Sequence, residues 1–377
     1  MEQNWKENRS LLLVIIVSLV ICLLLGLMMV ISLGNPGTAA QTEAADVGIM
    51  DKYDMFMTNT ISDSLDGILS IEKVYWLNDD DLVAPEPNQA CYGELEKPED
   101  ARQLLEDAAF IIDGDEMYFD PDTTVLVPGT NIKYYLDETI FAITWKEGHD
   151  QCTYCYSEVF IAHPTQFRRF LAGGEYGSEK QFITTEMAAS VNAVIASSGD
   201  FYRFRNFGTI VYDGKVQRIR SENIDTCFID DKGDLIFTYA GEITDINEAQ
   251  KFVDDNHIRF SVAFGPILVD NGERCEPRDY YLGEIKENYP RSALCQMGDL
   301  HYLLATANGD KYYTRTPDIY EFAKNIAATG CDKAYTLDGG QTAVLAMNDQ
   351  LMNAVLFGFQ RKISDIIYFA TAVPDGG

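Results

Sequence analysis

Histidine is scarce in this 377-residue chain, with four in all, which leaves little material for a His-based metal site or catalytic triad. Cys152-Thr-Tyr-Cys155 has the spacing of a zinc or redox half-site, but neither a second CxxC nor an HxxxH accompanies it. A local disulfide or free thiols fit that pair better than zinc. Positive charge is also short: 29 Lys and Arg against 59 Asp and Glu give a net charge of −30. Such a field repels phosphate backbones at long range and argues against a nucleic-acid partner. No internal repeat is visible, and a second long apolar run is missing, which excludes a transporter. The acidic loops Asp79–Asp81, Asp113–Asp115 and Asp120–Asp122 lack the full spacing of a calcium loop. No cofactor is evident and no metal-ligand set is assigned, although these loops leave a structural divalent cation open.

One long apolar run is present. Residues 11–33 hold 23 residues without a charge, which at about 1.5 Å per residue spans a hydrocarbon core of about 30 Å. Lys6 and Arg9 precede it and no basic cluster follows. The reading is a single-pass anchor with a cytoplasmic tail at 1–10 and the remainder extracytoplasmic, at the cell membrane. Cleavage near Ala39-Ala40, as in a signal peptide, stays open. Of eight cysteines, Cys22 lies in the run and seven lie beyond it, an odd number that leaves at least one without an intrachain partner.

Residues 34–49 read as a linker. Residues 50–134 read as a smaller N-terminal α/β stalk or accessory region, with helices over 50–76 and 99–109 and the capacity to self-associate. From about residue 123 the texture becomes strand-like, with β-branched and aromatic runs at 124–127, 132–135, 139–145, 156–162, 209–212, 235–239, 258–263 and 301–305. Thr244 is placed to cap a helix with Ile246, Ala249, Phe252 and Val253 inward. Thr316-Pro317 opens a better one, with Ile319, Phe322, Ala323, Ile326 and Ala327 on one face and Gly330 past its end. The fold class is α+β with a mixed sheet.

The stretch that carries chemistry follows that helix: Gly330-Cys331-Asp332-Lys333-Ala334-Tyr335-Thr336-Leu337-Asp338-Gly339-Gly340-Gln341-Thr342. It reads as a tight turn, a short strand and an acid on a Gly-Gly turn. Glycines beside a carboxylate permit close approach of a ligand to bare backbone. Asp-Gly by itself signals only a turn.

Its context adds more. The stretch resembles the signature of the phosphodiester glycosidase family, usually Asn-Leu-Asp-Gly-Gly-Gly-Ser. Further blocks occur in the family's order: Ala188–Tyr202 (AASVNAVIASSGDFY), Phe207–Lys215, Phe264–Gly272, Pro290-Arg291-Ser292-Ala293 and Arg361–Tyr368. The resemblance covers 135–377 and implies a phosphodiester-glycosidase-like domain that cleaves a sugar-1-phosphodiester of a surface glycan or exopolysaccharide. On matching positions it implies Asp338 and Asp200 as a catalytic carboxylate pair. Arg291, Thr342, Gly339, Gly340, Arg203 and Arg361 are implied as substrate-binding residues, with the arginines suited to phosphate. Gln341 stands where the signature has its third Gly, and Ser198 where it has Asn. Those departures keep two other readings open: a glycan-binding or scaffold protein that has lost the chemistry, and a surface assembly subunit.

Overall fold

Long alternating runs of branched and aromatic residues form the backbone of this protein, because each places one set of side chains on either face of a strand. The computed structural model describes residues 83–108, 117–220, 224–276, 287–311 and 313–372. The apolar run at 11–33, the linker and the helix expected over 50–76 lie outside them. Among the described residues no helix is long and apolar enough to cross a membrane.

The described strands form four sheets. The largest runs in the order β1 (Tyr92–Leu95), β2 (Ile132–Leu136), β3 (Ile140–His149), β4 (Cys152–Ile161), β15 (His301–Asn308), β14 (Arg291–Gly298), β16 (Lys333–Leu337), β12 (Ile267–Asp270) and β13 (Glu273–Arg274). A second holds β18 (Gln350–Leu351), β17 (Leu345–Met347), β6 (Ala193–Ser198), β19 (Asp365–Ala370) and β5 (Phe167–Leu171). β10 (Leu235–Thr238), β9 (Thr226–Asp230) and β11 (Ile258–Val262) make a third, and β7 (Ile210–Tyr212) and β8 (Lys215–Arg218) a hairpin. The pairings within them are antiparallel. Four helices accompany them among the described residues: α1 (Glu99–Ala108), α2 (Thr184–Ser190), α3 (Ile246–Asp255) and α4 (Ile319–Ala327).

Alternation along β3 shows how the layers stack. Phe141, Ile143 and Trp145 pack with Ala101 and Leu105 of α1 and with Phe322 and Ile326 of α4. Ile140 and Ala142 face the other way, toward Val194, Ile195, Ile367 and Phe369 of the five-stranded sheet. That sheet's outer face takes Met187 and Ala188 of α2. The order is therefore helices, large sheet, smaller sheet, helix. Each large apolar side chain fully buried between the sheets contributes about 1.5–3 kcal/mol.

Several expectations need correcting. The boundary expected between residues 134 and 135 falls inside β2, and β1, α1 and β2 belong to the large sheet and its core. Residues 124–127 supply only a bridge from Leu126 to Glu147. α4 is capped by Asp318, whose side chain accepts from the Glu321 N–H in a capping box, so Thr316 and Pro317 lie before the cap. α3 is capped by Asp245, not Thr244, and Ile246 is exposed while Ala249 and Val253 are buried. Cys152 and Cys155 sit three apart on β4, hence on opposite faces, one in each core. Both are free thiols, which removes the local disulfide.

Candidate active site

β16 ends at Leu337 and releases Asp338 onto the Gly-Gly turn. The Asp338 N–H donates to the Gly199 carbonyl at 3.0 Å, which docks the end of β16 against the end of β6. A Cβ on Gly339 would lie 2.6 Å from the Pro290 carbonyl oxygen, and Gly340 has φ +64°. The Gly340 N–H donates to the same Pro290 carbonyl at 2.7 Å. Both glycines are thus required by close backbone approach and by the left-handed conformation. Thr342 is buried, and its hydroxyl closes the turn by donating to the Gly339 carbonyl at 2.6 Å.

Asp338 lines a cleft of about 330 Å³ with Arg205, Arg291, Arg361, Phe201 and Phe264; Tyr289, Gly339, Gly340, Gln341 and Phe357 also border it. Arg361 donates to the Asp338 carboxylate at 3.3 Å, and its guanidinium lies 5.0 Å from the Phe201 ring centre. Arg205 lies 4.2 Å from the Phe264 ring centre and donates to the Phe264 carbonyl at 3.1 Å. Arg291 is buried at the start of β14 and donates to the Glu287 carbonyl at 2.5 Å. Three arginines thus share the cleft with one carboxylate, and Arg361 contacts it directly. Burial pushes the Asp338 carboxyl up to about 6, against the pull of the Thr342 hydroxyl and of Arg361 and Arg205; the Asp200 charge adds to the rise. A carboxyl at that value is suited to proton transfer near neutral pH.

Asp200 lies beneath the cleft and does not line it. Its Oδ1 accepts from Arg169 at 2.8 Å and from the Tyr202 N–H at 2.9 Å, and its Oδ2 accepts from the Ala263 N–H at 2.7 Å. Arg169 also bridges to Asp365 at 2.8 Å, and all three side chains are wholly buried. Asp365 in turn accepts from the Asp200 N–H at 3.1 Å. Burial and the Asp200 charge hold the Asp365 carboxyl well above its usual range, although Arg169 opposes them. A Cβ on Gly199 would strike the Asp365 carboxylate at 1.9 Å, which explains that glycine. The expected carboxylate pair is therefore divided, with Asp338 open to the cleft and Asp200 sealed under it. Among the described residues that line the cleft, Asp338 is the only acid.

Arg203 turns elsewhere: it donates to the Ser178 carbonyl, and its closest acid is Glu179 at 3.9 Å. Arg205 and the aromatic lining were not anticipated; the alternation Arg203-Phe204-Arg205 was their one signal. His163–Phe170 runs from a short turn into β5, where Arg169 becomes the buried tie. Among the described residues no group of three or more His, Cys, Asp or Glu is placed to hold a metal ion.

Residues 191–370, just under half of the chain, match the profile of the phosphodiester glycosidase family. A stretch of 109 residues is 25% identical to the SPbeta prophage-derived uncharacterized protein YomE of Bacillus subtilis (strain 168), spanning 29% of this chain and 17% of that relative. Among solved structures, the zebrafish N-acetylglucosamine-1-phosphodiester alpha-N-acetylglucosaminidase catalytic domain, auto-inhibited by its pro-peptide, aligns with a TM-score of 0.48. It is 16% identical, over 66% of this chain and 86% of that one. A hypothetical protein from Synechocystis aligns with a TM-score of 0.46 at 13% identity, over 64% of each chain.

Proposed function

We propose that this protein hydrolyses a sugar-1-phosphodiester, with Asp338 acting in its ionised form on the attacking water. The observation that carries the reading is one carboxylate sharing a single cleft with three arginines, in a chain whose net charge is −30. In the reaction water adds to the anomeric carbon, the bond from that carbon to the phosphate oxygen breaks, and a phosphomonoester leaves. A phosphate leaves as an anion and needs fixed cations more than a proton, which Arg291, Arg361 and Arg205 supply. The carboxylate takes the proton from water or attacks the sugar carbon itself. The Gly339-Gly340 turn offers bare backbone beside the reacting centre. The substrate fits a glycan of the cell surface or an exopolysaccharide, with residues 11–33 as the membrane anchor.

The test is turnover by the full-length chain on a panel of sugar-1-phosphodiesters. Activity is expected to fall as pH drops through about 6, where Asp338 takes a proton. Activity that instead persists to pH 4 would contradict this role for Asp338. A second reading has its own support, because Asp200 is sealed and a partner carboxylate is not among the described residues of the cleft. A glycan-binding protein of this fold would hold the same ligands and release no phosphomonoester.

A further inference from the structure

We infer that the segment Val355–Phe359 forms an aromatic wall for a second sugar ring of the substrate, beyond the ring at the scissile bond, and that Gln341 positions it. The inference rests on the proposed phosphodiester chemistry and narrows its substrate class to phosphodiesters within an oligosaccharide or polymer.

Phe357 borders the same cleft as Asp338, yet its side chain is 76% exposed, and Phe359 is 62% exposed. Isolated exposed aromatics are ordinary, but a group of them at the lip of a cleft marks a binding surface. Phe357 also has φ +65° within the turn Leu356–Gly358. A bulky residue rarely adopts that conformation, and burial of this ring does not compensate for it. Gln341 supplies the link to the reacting centre. Its side-chain amide donates to the Phe359 carbonyl at 3.0 Å. The Gly340–Thr342 turn, which follows Asp338, touches the Leu356–Gly358 turn. The aromatic segment is thereby tied to the catalytic turn by the side chain that departs from the family signature.

A second aromatic pair, Phe201 and Phe204, stacks at 4.8 Å between ring centres, with Phe204 half exposed and Arg361 against Phe201. Sugar rings have apolar C–H faces and a hydroxylated edge, so aromatic faces beside guanidiniums match them on both counts. A long alkyl chain would use the aromatic faces alone and leave the polar edge unmatched.

Calorimetric titration of the full-length chain separates these cases. The probes are methyl, decyl and trisaccharide diesters of one sugar 1-phosphate, each prepared with glucose, galactose and N-acetylglucosamine. The trisaccharide diester is expected to bind about ten-fold more tightly than the methyl diester. Phe357→Ala and Gln341→Gly should each bring that ratio close to one, and Phe357→Trp should keep it. Equal affinity for the two probes, a preference for the decyl diester, no binding of any probe, or an unchanged ratio in Phe357→Ala would overturn the inference. Turnover is read separately. Tight trisaccharide binding without phosphomonoester release would defeat the hydrolytic reading and leave the wall standing.

Discussion

Asp338 and Asp200 carry the same side chain in opposite surroundings, and that difference assigns their roles. Asp200 is held by Arg169 and two backbone N–H groups in the interior, so it fixes the strand ends that frame the cleft. Arg169→Met would leave two buried carboxylates without their cation and is expected to destabilise the fold by about 3–5 kcal/mol, read by urea unfolding. Asp338 behaves differently with pH. Its folded value of about 6 lies above the ordinary 3.8, so the native state holds its proton more tightly than the unfolded chain does. The resulting stabilisation is complete below pH 3.8 and is lost as pH rises through 6, amounting to about 3 kcal/mol. Asp338→Asn should lack that loss, so its stability advantage over the parent should grow between pH 4 and 7. Matching pH–stability curves for the two proteins would contradict the assignment. Asp338, its glycines, Arg291 and Arg361 were legible in sequence because short local motifs mark them. The sealing of Asp200 was not legible, since Arg169 lies 31 and Asp365 165 residues away.

At the scale of elements, the strongest periodic signals led to the right places. α4 repeats apolar residues at helical spacing, and all of Ile319, Phe322, Ala323 and Ile326 are buried. Its first residue was misplaced because Thr316 and Asp318 are both good caps, and sequence alone does not choose between them. Asp318→Ala should cost about 1 kcal/mol, measured as a shift in the urea midpoint, whereas Thr316→Ala should change little. If Thr316→Ala proved the more costly, the helix would begin earlier than described. Of the two readings of the cysteine pair on β4, the free thiols stand and the local disulfide does not. CxxC spacing brings sulfurs together on a helix or loop, but on a strand an odd offset sends them to opposite faces. His301 is buried in β15, where it stacks on Phe160 and shares a hydrogen bond with Glu158 at 2.6 Å.

At the scale of the whole molecule, sequence texture suggested a division that long-range pairing removes. β1 and α1 read as an accessory region because they precede the family-like blocks, yet β1 pairs with β2 and completes the edge of the large sheet. Which strand β1 pairs with is a long-range choice that the local pattern of residues 92–95 does not encode. The proposed anchor is testable at this scale. The full-length chain is expected to remain in the membrane pellet after alkaline carbonate washing, and its release into the supernatant would remove the anchor from this account. The central claim concerns the cleft, and phosphomonoester release from a sugar-1-phosphodiester by the parent chain, Asp338→Asn and Arg291→Ala tests it most directly. Turnover by the parent, with a loss of at least about 100-fold in both variants and unchanged unfolding midpoints for Arg291→Ala, is the expected result. Turnover that survives Asp338→Asn at the parent's rate would contradict the claim.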